Sequence, residues 1–403
     1  MASLVKKTGI ILGLLILSGW LLWYGGASWI VHHKAHEFKK NPGPARSFSD
    51  GMYDYGLNAW QNNQHKRARD YFIQSAYGNV LNMKAWLKLA QVEAALGNKA
   101  RAARLLRFVH RETADTSNYK WDQVLLASEL GAEDIFIEHI NAVIGVPGLK
   151  NDALMMLDQH FKAEIDRIVA VLSSDRLDDY LEWLMRWKRT EDSWQIWQEI
   201  TAEKRALEAV YEPYARFLLR QREIEKAVSV WQEHSGVDGV FNPGFESELS
   251  GRVFGWSYRQ SRQGLWEIER TTAQALRGSH ALRIVFNGQK NINFSHVSQL
   301  VPVQPGASYE ISFYWKSRKL STDNRPFIAV SGYACEGRWQ SGMVDPDTDW
   351  QQQVVNFKAP DGCHAVKITL RRKPSRKFDS KIRGELFVDD FDLRVIKEEG
   401  SGG

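Results

Sequence analysis

The stretch 240-VFNPGFESE-248 divides the chain. Asn242-Pro243-Gly244 is a turn signal, because proline presets φ and glycine admits backbone angles that other residues avoid. Before it, from Asp50 to about Ser235, apolar residues recur at helical spacing. After it come short alternating runs: "HALRIVF" (280–286), "VSQLVPV" (297–303), "SYEISFYW" (308–315), "FIAVSGYA" (327–334), "WQQQVVNF" (350–357), "AVKITLRR" (365–372) and "GELFVDDFDLRVI" (384–396). Turn signals separate them, at Asn287-Gly288, Pro305-Gly306, Asp345 to Asp349 and Pro360 to Gly362. About eight strands over roughly 155 residues predict a β-sandwich or jelly roll. The stretch itself reads as the sandwich's first strand.

The helical part repeats itself. Ala68 and Ala102 stand 34 residues apart, as do Phe72 and Leu106, Tyr55 and Leu89, Gly97 and Gly131, and Tyr180 and Tyr214. Trp197-Gln198-Glu199 returns as Trp231-Gln232-Glu233. A 34-residue period of paired helices resembles the tetratricopeptide repeat, best over "AWLKLAQVEAALGNKARAARLL" (85–106) and poorly over about 134–174. The resemblance implies a stacked solenoid with a concave surface for a protein partner; a helical spacer is the other reading. Trp183, Trp187, Trp194 and Trp197 read as one helix-packing stripe.

Ahead of the repeats, "TGIILGLLILSGWLLWYGGASWIV" (8–31) carries no charge and is long enough to span a bilayer, with Trp20, Trp23, Tyr24 and Trp29 crowding one end. This predicts a single-pass bacterial inner-membrane anchor (1–35) and a linker (36–49). The helical repeat domain (50–236) and the sandwich (240–396) are then expected in the periplasm or outside, with 397–403 an appended tail. A cleaved signal peptide is the competing reading. Lys34, Lys39, Lys40 and Arg46 pull the other way, toward the cytoplasm. Cys335 and Cys363, the only cysteines in 403 residues, both fall in the strand-rich half; they are compatible with one disulfide or with two buried thiols. The net charge of +5 does not by itself imply nucleic acid, and no nucleic-acid partner is expected.

The order "NPGFE", Gly255-Trp256, "GSHALRI" (278–284), "VPVQPGASYEISFYWKS" (301–317), "DWQQQVVNFKAP" (349–360) and "LFVDDFDL" (386–393) resembles carbohydrate-binding modules of the family 4/9/22 type, within the galactose-binding-like jelly rolls. The resemblance covers nearly all of 240–396. It implies a structural Ca²⁺ held by Glu246 and Asp390, with Asp389 beside it, carboxylate oxygens being the hard ligands that ion prefers. Phe245, Trp256, Tyr309, Phe313, Trp350 and Phe357 match its core positions. Left unassigned are Tyr258, Trp266, Trp315, Tyr333 and Trp339. From these, Trp339 with Arg338 and Gln340 in "CEGRWQSG", together with Trp266 and Tyr333, form the expected sugar-facing set. Arg371, Arg372, Lys373, Arg376, Lys377, Lys381 and Arg383 form a basic patch suited to an acidic polysaccharide, a lipid surface or an acidic protein face.

Catalytic signatures are missing: there is no G-x-S-x-G, P-loop, G-x-G-x-x-G or H-E-x-x-H. "HHKAH" (32–36) reads as polar chain rather than a metal site. The fold class expected is therefore multidomain, α plus all-β: a transmembrane helix, a tetratricopeptide-like solenoid and a jelly roll. The function expected is a non-enzymatic scaffold in polysaccharide assembly or export, with the repeats on a protein partner within a membrane complex and the jelly roll on glycan. The alternatives are an accessory subunit whose jelly roll no longer binds sugar, and a glycan-processing enzyme.

Overall fold

The computed structural model describes residues 49–113, 117–202, 209–249 and 251–396. These form twelve α-helices followed by ten strands. The chain divides into two compact units: residues up to 184 with 192–202, and residues 185–191 with 203 onward.

In the first unit, α1 (Ser49–Gln61), α2 (His65–Gly78), α3 (Met83–Ala95), α4 (Lys99–Glu112), α5 (Lys120–Leu130) and α6 (Glu133–Ile144) pack as hairpins, α1 on α2, α3 on α4 and α5 on α6. Five of the six starts keep the 34-residue spacing, Ser49 with Met83 and His65 with Lys99 and Glu133; α5 begins 37 residues after α3. Burial explains the periodicity, since Ala68 and Ala102 are both fully buried, and so are Phe72 and Leu106. The small alanines let neighbouring helices approach while the large residues fill the space between them. Gly97 and Gly131 follow α3 and α5 at φ +85° and +68°, a left-handed turn that glycine makes without strain. The spacing then breaks in α7 (Lys150–His160) and the single short α8 (Ile165–Val171), before α9 (Ser174–Arg186) and α10 (Thr190–Ala202). The expected tryptophan stripe is incomplete. Trp183 and Trp197 are buried, but Trp187 lies past the end of α9 and is 61% exposed.

The expected inner-membrane anchor needs correction. Among the described residues no helix is long and apolar enough to cross a membrane. The stretch 8–31 and the polar "HHKAH" lie outside the described residues.

The second unit carries the last helix pair, α11 (Tyr211–Gln221) and α12 (Ile224–Ser235), together with all ten strands. The compact unit thus begins before the turn at Asn242. The reason is Trp231 of α12, fully buried, which packs on Phe241 (5.6 Å between ring centroids) and Phe254 (5.5 Å). The strands are β1 (Ser257–Tyr258), β2 (Trp266–Thr271), β3 (Ala281–Asn287), β4 (Phe294–Pro302), β5 (Ser308–Arg318), β6 (Phe327–Gly332), β7 (Arg338–Gln340), β8 (Thr348–Lys358), β9 (Ala365–Arg372) and β10 (Arg383–Ile396). They make two five-stranded sheets, β1-β4-β9-β6-β7 and β2-β3-β10-β5-β8, in which every strand pair is antiparallel. The edge strands β1 and β7, two and three residues long, are too short to show alternation in sequence.

Alternation builds the core. In β9, Val366, Ile368 and Leu370 point inward while Lys367, Thr369 and Arg371 take the other face. Phe245, Trp256, Ile311, Phe313, Trp315 and Val330 fill the space between the sheets. Of the six aromatics matched to core positions, Phe245, Trp256, Tyr309, Phe313 and Phe357 are buried and Trp350 is half-buried; Trp315 joins the core as well.

The opening stretch 240–248 is not a strand. Asn242 and Phe245 sit at φ +51° and +58°, which breaks an extended run. It is held instead through its carbonyls. Arg270 of β2 donates to Phe245 O (2.8 Å) and Glu246 O (2.7 Å), the Trp256 indole donates to Asn242 O (3.1 Å), and the Phe391 N–H donates to Pro243 O (3.1 Å).

Candidate functional site

The outer face of the first sheet carries a groove of about 1010 Å³. Register defines its floor. β6 pairs with β9 and with β7, so Arg338, Ser331 and Lys367 form one cross-strand row, Gln340, Ala329 and Thr369 a second, and Phe327 and Arg371 a third. Lys373, just past β9, extends the last row with its ammonium 5.6 Å from the Phe327 ring centroid. The small side chains of Ala329, Ser331 and Gly332 keep the floor low, and the long side chains form its walls.

Charge is one-sided here. Arg338, Lys367, Arg371 and Lys373 line the groove against one acid, Glu336. None of these four cations is ion-paired among the described residues. The Arg371 Nε is shielded from solvent and has no hydrogen-bond partner among the described residues. Leaving such a group unmatched costs free energy.

Two separate expectations therefore meet in one place. Arg338 and Gln340 come from the expected sugar-facing set, and Arg371 and Lys373 from the basic patch. The β7–β6 and β6–β9 pairings together join them across about thirty residues of sequence. Lys367 belongs to neither set. Its signal was the alternation of Lys367, Thr369 and Arg371 within "AVKITLRR", polar residues on one face of a buried strand.

The remaining expected residues fall elsewhere. Trp339 borders the groove, but its ring packs on Phe357 (5.2 Å) and folds over Gly337, where a Cβ would lie 2.2 Å from it. It is a wall, not a flat platform. Trp266 starts β2 in the other sheet, packs at a tilt against His296 (4.2 Å between ring centroids) and donates its indole N–H to Arg259 O (3.0 Å). Tyr333 stands beyond the end of β6, outside the groove lining, its N–H bonded to Ala365 O (3.0 Å). The basic patch also divides. Arg372 points into the sandwich and is fully buried. Its guanidinium donates to Asn324 O (3.0 Å), Asn291 Oδ1 (2.8 Å), Ser380 O (2.5 Å) and Ile292 O. Burial pushes that guanidinium below its ordinary range. Lys377 pairs with Asp323 (2.8 Å), holding that carboxyl down at about 2. Arg376, Lys381 and Arg383 are exposed outside the groove.

Cys335 and Cys363 are joined in a disulfide with their Cα atoms 5.4 Å apart. It ties the β6–β7 turn, which precedes Arg338, to the turn before β9, and so fixes one end of the groove.

The carboxylates expected to hold Ca²⁺ do not fit that ion as they stand. Glu246 Oε1 accepts the N–H groups of Ser279 (2.9 Å) and His280 (3.1 Å), and its Oε2 meets His280 Nδ1 (3.2 Å). Asp389 Oδ2 accepts from Leu276 N (2.8 Å) and Arg277 N (3.3 Å), and its Oδ1 from Asp390 N (2.7 Å). Asp390 pairs with Arg277 (3.1 Å). Ca²⁺ requires about six to eight oxygen ligands, whereas these oxygens are turned to N–H donors and cations.

No protein-family model matches the chain, and no curated protein matches it. Solved structures similar to it include a family 4 carbohydrate-binding module ("CBM4 structure and function"), 16% identical, covering 39% of this chain and 99% of its own, with a TM-score of 0.29. Another is TmCBM61 in complex with β-1,4-galactotriose, 19% identical, covering 40% of this chain and 99% of its own, TM-score 0.28. A third is the CBM22-1 xylan-binding domain of Paenibacillus barcinonensis Xyn10C, 18% identical, covering 38% and 92%, TM-score 0.26. The two-sheet sandwich itself is established by its strand order and core.

Proposed function

We propose that the sandwich unit binds an acidic glycan along the groove of its first sheet. The observation that carries this is the alignment of Arg338, Lys367, Arg371 and Lys373 along one open channel against the single acid Glu336. A neutral sugar is held chiefly by a flat exposed ring, and the groove offers little of that kind: Phe327 is 5% exposed and the half-buried Trp339 leans on Phe357. Carboxylate- or sulfate-bearing sugars supply the missing anions, while Ser331, Gln340 and Thr369 meet hydroxyls. The role is binding rather than catalysis, because glycoside hydrolysis uses a carboxylate pair and the lining offers only Glu336.

The helical unit is a tetratricopeptide-like scaffold that presents a protein-binding surface, so the chain holds a polysaccharide near a partner that makes or moves it. Support comes from the 34-residue spacing of helix starts.

Affinity electrophoresis tests the glycan reading. The full chain should be retarded in gels containing polygalacturonate or a sulfated polysaccharide, and not in gels containing neutral xylan. The double variant Lys367→Gln/Arg371→Gln should run freely in all of them. Free migration of the unaltered chain in both acidic gels, or equal retardation of the variant, would sink the proposal.

A further inference from the structure

A second candidate site lies in the helical unit. His110, in the last turn of α4, places its Nδ1 3.0 Å from Nε2 of His139 on α6. Glu138 sits 3.3 Å from the opposite nitrogen of His110, Nε2. The three donor atoms all lie within 4.8 Å of one another, and no other such cluster of histidine, cysteine or acidic groups occurs among the described residues. His139 is 2% exposed, whereas the His110 and Glu138 side chains are 21% and 57% exposed. The cluster is thus anchored in the core and open on one side.

We propose that His110 and His139 bind a divalent first-row transition ion, with Glu138 positioning His110. Glu138 stands beside Nε2 of His110, and a hydrogen bond from the Nε2–H to that carboxylate would fix the tautomer and leave the Nδ1 lone pair facing His139. This carboxylate–histidine arrangement is the usual device for aiming an imidazole at a metal. Imidazole ligands bind such ions at about 2.05 Å, so nitrogens 3.0 Å apart subtend roughly 94° at a shared ion. That angle suits two neighbouring positions of a square-planar or octahedral ion, and imidazole nitrogens favour Ni²⁺, Cu²⁺ and Zn²⁺ over Mg²⁺ or Ca²⁺. The exposed side leaves room for water to complete the shell. Metal bridging α4 to α6 would pin two successive hairpins together.

The test uses the full chain with His32, His33 and His36 changed to Gln, which removes the other histidine cluster. Ni²⁺ titration calorimetry should give one site on this parent. His110→Gln should abolish it, and Glu138→Gln, which keeps both imidazoles, should weaken it by about 10- to 100-fold. Cu²⁺ on the parent should show hyperfine coupling to two imidazole nitrogens. Absence of Ni²⁺ binding to the parent, binding to His110→Gln at parental affinity, or a Cu²⁺ spectrum without nitrogen coupling would overturn the site. Unchanged affinity in Glu138→Gln would overturn the positioning role. If His110→Gln fails to fold, the Cu²⁺ spectrum and the Glu138→Gln titration decide alone.

Discussion

One oxygen of Glu246 accepts the backbone N–H groups of both Ser279 (2.9 Å) and His280 (3.1 Å). This clasps the entry to the sandwich onto the loop that leads into β3, with the side chain of His280 closing on the other oxygen (3.2 Å). The N–H donors of His280, then that of Ser279, hold the Glu246 carboxyl below the usual carboxylate range. A carboxyl with a lowered folded pKa stabilises fully above its unfolded value of about 4.5 and loses that contribution as pH falls through the folded pKa. Between pH 5 and 3 the sandwich should therefore lose stability more steeply than a Glu246→Gln variant does. Equal acid limbs in denaturant titrations at each pH would show that the clasp is energetically idle.

The clasp also depends on a glycine. Gly278 stands at φ +66°, and a Cβ there would come within 2.2 Å of Glu246 Oε1. Gly278→Ala would both strain the backbone and push the carboxylate off its donors. The expected cost is about 1–3 kcal/mol, read as a lower urea midpoint with an unchanged slope. A midpoint within error of the parent would mean that the loop rearranges freely.

Because Glu246, Asp389 and Asp390 are already satisfied by internal donors, calcium should not matter to the sandwich. Treatment with EGTA, or addition of millimolar Ca²⁺, should leave its melting temperature unmoved. An ion bound at a hundred times its Kd would add about 2.7 kcal/mol, so a shift of several degrees on chelation would establish an ion site in place of the clasp.

What was legible in sequence follows from what is local. The 34-residue period survived because Ala68, Ala102, Phe72 and Leu106 are all core, and burial leaves a pattern. The sandwich was legible for the same reason, from the inward alternation of β5 and β9. The groove was not, because it is made by pairing rather than by spacing. Arg338 and Lys367 became neighbours of Ser331 only once β6 lay between β7 and β9. Trp315 and Trp339, both left unassigned beside the core positions of the resemblance, each pack against another ring, Trp315 inside the core and Trp339 at the wall of the groove. The stretch 240–248 reads in sequence as the sandwich's first strand, but its left-handed residues Asn242 and Phe245 make it a clasp, and the compact unit that carries it begins earlier in the chain.

Adjacent arginines on opposite faces of β9 give a paired test. Arg372→Met would leave Asn324 O, Ile292 O, Ser380 O and Asn291 Oδ1 without their donor in the interior. Breaking a buried charged network of this kind costs about 3–5 kcal/mol. Arg371→Gln, on the half-buried outer face, should change stability by less than about 1 kcal/mol. Chemical denaturation of the two variants should separate them clearly. Similar midpoints would contradict the assignment of faces.

The groove makes a last prediction about salt. Its four cations lie on a surface open to solvent, where the screening length falls from about 10 Å at 0.1 M salt to about 3 Å at 1 M. Binding of an acidic polysaccharide should therefore weaken by more than tenfold over that range. Each removal, Lys367→Gln or Lys373→Gln, should reduce affinity at 0.1 M by a factor of about 1.5 to 5, the worth of one exposed ion pair, and should flatten the salt dependence. Arg371→Gln should cost a similar factor. Glu336→Gln should act the other way and tighten binding, by removing the one repulsive charge in the lining. Affinity that is flat with salt, or a Glu336→Gln variant that binds acidic chains more weakly, would mean that the groove does not select its ligand by charge.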